Sequence, residues 1–235
     1  MMTPKAKSVV LAKMFHEVHA SMKAVIGMLD LTLDTPLTDE QKDNLMVAKD
    51  FVQNLSSLMD DTLDLSSMEA DKVVIEEAEI QVAQIIKNVC KGLCILARNK
   101  QIDLIWSIDP KIPRILIGDP VRLRQVLMNL VNNALKFTHK GKVEVRTKVE
   151  SLTDKDCLIK FDITDQGIGI PQKNLATVFD DSTQILGLSV CKKLVEMMHG
   201  QMWVDSVKGQ GNTFHFTTIF GYRPHALLKM KEAEG

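Results

Sequence analysis

The sequence predicts an α+β chain: a helical hairpin that becomes a four-helix bundle on dimerisation, followed by an α/β sandwich. Three observations carry this expectation. A heptad seam runs through the first thirty-odd residues. A short turn signal then leads into a second stretch with the same helical spacing. Beyond residue 80, helical patterns stand beside a run of period-two segments, most of them joined as hairpins. That mixture argues for helices packed on a sheet rather than a doubly wound parallel sheet.

Residues 7–35 read as one amphipathic helix. Leu11, Phe15, Val18, Met22, Val25 and Leu29 step alternately by four and three, the spacing of a coiled-coil or bundle seam. The helix stops near Asp34-Thr35-Pro36, because the residue before a proline is pushed out of the helical region. Thr38-Asp39-Glu40-Gln41 has the spacing of a capping box and starts the second helix. Leu45, Ala48, Val52, Leu55 and Met59 continue the seam to about Met68. One hairpin of residues 1–68 offers little core on its own, and two pair readily into a bundle, so a homodimer is expected.

Acidic residues from Glu69 to Glu79 mark the junction to a second domain, residues 69–221. Residues 81–98 follow a helical pattern, and Ile102, Leu104, Trp106 and Ile108 alternate as a half-buried strand. Asp119-Pro120 supplies a capping carboxylate and a proline in the first helical position, which starts a helix from Val121 to Phe137 closed by Gly141. Strands are expected at Val143–Val149 and Leu158–Thr164, a helix at Leu188–Met198, and strands at Gln201–Ser206 and Thr213–Phe220. Residues 222–235 form a polar tail or linker.

Composition narrows the function classes. The 235 residues are 45% hydrophobic and 25% charged, an ordinary globular mixture. A net charge of −1 offers no electrostatic case for nucleic acid or for contact with an anionic membrane. No apolar run reaches the roughly 18 residues a membrane helix needs. The four cysteines form no Cys-x-x-Cys pair, and Cys90 and Cys94 read as small apolar residues on one helix face. A reducing, cytoplasmic setting is expected, with any membrane anchor of the parent protein outside this segment.

The chemistry sits in a few short stretches. Asn129, Asn133 and Lys136 lie at i, i+4 and i+7, on one face of their helix. Two amides and an ammonium on one stripe suit hydrated Mg²⁺ and phosphates, though a solvated helix face fits the spacing equally. Asp165-Gln-Gly167-Ile-Gly169 follows a strand directly. Its glycines allow a tight turn and close backbone approach, and its carboxylate can accept a hydrogen bond from an amino group; a plain turn is the competing reading. Gly187-Leu188 opens a helix whose N-terminus could face a phosphate, as any helix start could. Thr213 follows the turn Gly209-Gln-Gly211, and can hydrogen-bond inward. His16-Glu17 lies beside the seam residue Phe15, and most surface histidines have no function.

Taken in order, Phe15-His16-Glu17, Asn129-x-x-x-Asn133-Ala-x-Lys136-Phe-Thr, Asp165-x-Gly167-x-Gly169, Phe179, Gly187-Leu188 and Gly209-x-Gly211-x-Thr213 resemble the boxes of sensor histidine kinases, closest in flavour to the hybrid type. The likeness covers about residues 7–221. It implies a Bergerat-type ATP-binding domain in which Asp165 and Thr213 hold adenine. Asn129, Asn133 and Lys136 would meet the triphosphate and Mg²⁺, with Gly167, Gly169, Phe179, Gly187 and Leu188 completing the ATP site. It further implies that His16 accepts the γ-phosphoryl group with Glu17 as its acid/base neighbour, and that the group passes on to a receiver-domain aspartate.

Two departures stand out. Ala20 and Ser21 occupy places where the family usually has Thr and Pro. The stretch between Phe179 and Gly187 is shorter than the family's lid. Both favour a competing reading, a degenerate kinase serving as a dimeric signalling module without autokinase activity. An ATPase of the chaperone or mismatch-repair kind is opposed by the hairpin that carries His16-Glu17.

Overall fold

The computed structural model describes residues 4–38, 40–42, 44–46, 48–49, 52, 75–180 and 186–223. The chain divides into two compact units between Val74 and Ile75.

The first unit opens with α1 (Pro4–Leu33). The helix unwinds at Asp34 and Thr35, where the Thr35 hydroxyl donates to the Thr32 carbonyl at 2.7 Å. The expected capping box is present in both directions. The Gln41 N–H donates to Thr38 Oγ1 at 3.2 Å, and the Thr38 N–H donates to Gln41 Oε1 at 3.1 Å. Helical backbone resumes at residues 40–42, 44–46 and 48–49. Lys49 makes an ion pair with Asp30 of α1, which ties the returning segment to the first helix. Leu55, Met59 and the rest of the second helix lie outside the described residues. Of the seam residues, Met22 is buried, Leu29 half-buried, and Val18 and Val25 exposed. The side chains of Leu11 and Phe15 lie outside the described set.

The second unit is a seven-stranded sheet with helices packed on one face. Its elements are β1 (Ala78–Ile80), α2 (Val82–Asn99), β2 (Ile102–Ser107), β3 (Leu116–Gly118), α3 (Pro120–Phe137), β4 (Gly141–Leu152), β5 (Asp156–Asp165), α4 (Gln172–Leu175), α5 (Leu186–Met197), β6 (Met202–Val207) and β7 (Gly211–Gly221). The sheet order is β1-β3-β7-β5-β4-β2, with β6 paired to β7. All pairings are antiparallel except β2 with β4. That one parallel pair needs a crossover, which α3 supplies.

The period-two pattern decides what the sheet buries. Val143 and Val145 of β4, Ile159, Phe161 and Ile163 of β5, and Phe214, Phe216 and Phe220 of β7 all point to the core. Phe161 and Phe216 stack with ring centroids 4.4 Å apart. Against them α3 presents Leu123, Leu127, Leu130 and Ala134, and α2 presents Ile86, Val89, Cys90 and Leu93. Burial pushes the Cys90 thiol up to about 12, with neighbouring Cys94 adding to the rise, so it behaves as a small apolar side chain. The intervening residues form a charged outer face, where Lys160 bridges to Asp162 at 3.0 Å and Arg146 to Glu144 at 2.6 Å.

Asp119 caps α3 as its sequence implies. Its Oδ1 accepts from the N–H groups of Val121 at 2.9 Å and Arg122 at 3.0 Å. Its Oδ2 takes the Glu76 N–H at 3.0 Å, which fastens the segment before β1 to the helix start. Three short elements were not expected from the sequence: β1, β3 and α4 are each three or four residues long. So short a segment shows no periodicity to detect. Gly141 needs correcting too. Thr138 ends the helix, and Gly141 opens β4 with φ +111°, pressed against Gln166 where a Cβ would collide.

Candidate functional site

The site is built where β5 stops and α3 ends. Asp165 is the last residue of β5, and the chain turns at once through Gln166, Gly167, Ile168 and Gly169. The turn is possible because of its glycines. A Cβ on Gly167 would stand 2.6 Å from the Phe137 carbonyl oxygen at the end of α3. Gly169 has φ +67°, and a Cβ there would collide with the Val207 carbonyl of β6. The loop is thus seated between α3 and β6, and it forms one wall of a cavity of about 650 Å³.

The other walls come from four elements. α3 contributes Asn133, Lys136 and Phe137, α4 contributes Asn174, α5 contributes Leu188, and β7 contributes Asn212 and Phe214. Ile168, Ile170, Pro171 and Val178, with the polar Thr177, complete a largely apolar lining. A mostly apolar cavity with a few convergent polar groups is the ordinary form of a small-molecule site.

Asp165 is its electrostatic centre, 3% exposed. Its Oδ1 accepts from the Gly167 N–H at 2.8 Å and from Asn212 Nδ2 at 3.1 Å, and its Oδ2 accepts from Asn212 Nδ2 at 3.0 Å. Burial pushes its pKa above the usual carboxylate range, while the Asn212 amide and the Gly167 N–H work against that rise. Asn212 is itself held, since Ser206 Oγ donates to Asn212 Oδ1 at 2.6 Å and accepts the Ile170 N–H at 2.7 Å.

The residues named from sequence meet in part. Asn133, Lys136, Asp165, Gly169 and Leu188 line the cavity. Gly167 shapes the loop behind it, and Gly187 is buried in the first turn of α5. Asn129 is half-buried one turn earlier on α3, on the stripe of Asn133 but outside the lining. Phe179 sits edge-on to Phe214, with centroids 6.5 Å apart, and backs the wall rather than forming it. Thr213 requires a correction. Its Oγ1 meets Thr164 Oγ1 at 3.2 Å, and the cavity is lined by Asn212 instead. Strand alternation is the reason: Asn212 shares the face of Phe214 and Phe216, and Thr213 shares the opposite face with His215. That parity was present in the sequence and could have pointed to Asn212; Ser206 left no comparable signal. His16 and Glu17 fall on α1, and their side chains lie outside the described residues.

The model for the histidine kinase-, DNA gyrase B- and HSP90-like ATPase matches residues 118–220, from the end of β3 to the end of β7. The model for the His Kinase A (phospho-acceptor) domain matches residues 6–71. The chain belongs to the histidine kinase family. This chain is 36% identical over 217 residues to hybrid signal transduction histidine kinase L of Dictyostelium discoideum, a match covering 87% of this chain and 13% of that protein. It is 32% identical over 237 residues to signal transduction histidine-protein kinase BarA of Escherichia coli strain K12, covering 96% of this chain and 26% of that protein. The chain therefore corresponds to a minor part of these hybrid kinases. Among solved structures, full-length ShkA in complex with AMPPNP superposes with a TM-score of 0.69 at 27% identity, covering 94% of this chain and 47% of that one. Among the described residues, no helix is long and apolar enough to cross a membrane.

Proposed function

We propose that this chain is the ATP-dependent autokinase core of a two-component phosphorelay, which phosphorylates His16 and passes the phosphoryl group to a receiver-domain aspartate in cis or in trans. The observation that carries the reading is the convergence of Asp165, Asn133 and Lys136 on one cavity of about 650 Å³. The residues fit a nucleotide. Apolar walls suit a purine, the buried carboxylate accepts from an exocyclic amine, and an exposed ammonium meets phosphate charge. Mg²⁺, when bound, neutralises charge on the phosphates, and Asn133 with Asn129 one turn earlier would hold it.

The hairpin, residues 1–68, supplies the acceptor. The His16 Nε2 lone pair attacks the γ-phosphorus, a P–N bond forms, and the bond to the leaving ADP oxygen breaks. Glu17 accepts a hydrogen bond from the ring and favours the tautomer with Nε2 free. Homodimerisation through the seam completes the hairpin as a four-helix bundle. Residues 69–221 then serve as the ATP-binding domain and 222–235 as a linker. ATP supply places the chain in the cytoplasm.

Incubation with γ-labelled ATP and Mg²⁺ tests the reading. The expected label is a phosphoramidate, stable in alkali and lost in mild acid. A chain that binds ATP yet never takes label favours the degenerate signalling module instead. That second reading draws on Ala20 and Ser21 and on the seven residues between Phe179 and Gly187.

A further inference from the structure

We infer that Asn212 is a positioning residue that makes the cavity prefer a 6-aminopurine over a 6-oxopurine, by holding the Asp165 carboxylate in place as a fixed acceptor. The inference rests on the nucleotide-binding reading above and names what sets its base specificity.

The geometry is a four-residue relay from Ile170 through Ser206 and Asn212 to Asp165. The Asn212 amide places Nδ2 3.1 Å from Asp165 Oδ1 and 3.0 Å from Oδ2, so one NH₂ group spans the carboxylate. Its other end is held in turn. Asn212 Oδ1 takes the Ser206 hydroxyl proton at 2.6 Å, and Ser206 Oγ takes the Ile170 N–H at 2.7 Å. A flipped amide would set its oxygen against both carboxylate oxygens and lose the two contacts to Asp165. The relay begins at Ile170, itself part of the cavity wall, and ends at the carboxylate, so the wall and the acceptor are fixed together.

This arrangement has a chemical consequence. An ionised carboxylate only accepts, so it pairs with the N–H of a 6-amino group and repels the lone pairs of a 6-oxo group. A protonated carboxyl could donate to the 6-oxo group, and the discrimination would fall. Burial of Asp165 favours the protonated form, and the Asn212 side chain is foremost among the groups that oppose it. Asn212 therefore maintains the acceptor in both orientation and charge.

The test is calorimetric titration of the full chain with Mg-ATP and Mg-ITP, from neutral to mildly acidic pH, for wild type, Asn212→Asp and Ser206→Ala. Wild type should prefer ATP. Asn212→Asp is nearly isosteric, but it sets a second carboxylate against Asp165 at neutral pH. It should lose about ten- to a hundredfold in ATP affinity. Part of the loss should return as pH falls, because the two carboxyls can then share one proton and restore a donor. A merely structural role would give a loss independent of pH. Ser206→Ala should weaken ATP by about fivefold and narrow the ATP-to-ITP ratio; it also decides the matter should Asn212→Asp fail to fold. Equal binding of ATP and ITP by wild type, or variants matching wild type at every pH, overturns this inference alone. A wild type that binds neither nucleotide overturns the functional reading with it.

Discussion

The two units of this chain bury their apolar residues to very different degrees. In the second unit, Leu123, Val126, Leu130, Val143, Phe161 and Phe216 are each fully enclosed. In the first, Met22 alone is buried among the described side chains, while Val18, Val25, Met28 and Leu31 remain exposed, Leu31 at 72%. A sheet covered by helices closes its own core within one chain, whereas a two-helix hairpin has one packing face and nothing to put on it. The second unit thus closes its own core, and the exposed seam of the first is the face that the proposed dimer would cover.

The sharpest way to separate the units is chemical. His16→Gln should abolish phosphoryl labelling entirely while leaving ATP affinity at the wild-type value, and His19→Gln should keep most of the label. Label retained without His16 would break the assignment. The converse change, Asp165→Asn, acts in the other unit: calorimetry should show ATP affinity lower by about ten- to a hundredfold with the dimer mass unaltered. Unchanged affinity would remove Asp165 from base recognition.

Association comes next. Val25→Asp places a charge on the exposed seam, and light scattering should show the mass falling to that of one chain, with ATP affinity preserved. A monomeric wild type at tens of micromolar would defeat the comparison outright. Core packing is a smaller effect. Leu130→Ala, fully buried in α3, should lower the unfolding free energy of the second unit by about 2–5 kcal/mol. Urea unfolding would measure it, and the oligomeric mass should not change.

The smallest effect is pH dependence. Burial raises the Asp165 pKa in the folded state, so the folded chain holds that proton over a range where the unfolded chain has released it. The stability contributed by this group is present at low pH and is lost as pH rises through the folded-state value. Glu144 has the opposite sign, because its bond to Arg146 lowers its pKa. Comparing wild type with Asp165→Asn isolates the Asp165 contribution. The stability difference should move in favour of wild type as pH falls from about 8 towards 4, and a difference constant with pH would contradict the raised value.

How much could be read in advance depended on the length and periodicity of each segment. α3 was legible to within a residue, because Asp119-Pro120 marks its start and Leu123, Val126, Leu127 and Leu130 repeat at helical spacing. The long strands β4, β5 and β7 were legible from alternation, each a little longer than expected. β1 and β3 were not, because three residues hold no period and their pairing partner is distant in sequence. In the site, Asp165 and the glycines announced themselves by spacing, while Asn212 was passed over for Thr213 beside it.

The sequence by itself therefore determined the first helix and the capping box that follows it, the capped helix bearing Asn129, Asn133 and Lys136, and the strand that delivers Asp165 into a glycine turn. These are local matters, settled by side-chain period and backbone freedom within a few residues. Only the tertiary structure decided which side chains share the cavity. Asn212 reaches Asp165 across 47 residues of sequence, and Ser206 reaches Ile170 across 36. Such contacts depend on strand register and on which face each residue takes, and a one-residue difference in parity is enough to exchange Thr213 for Asn212.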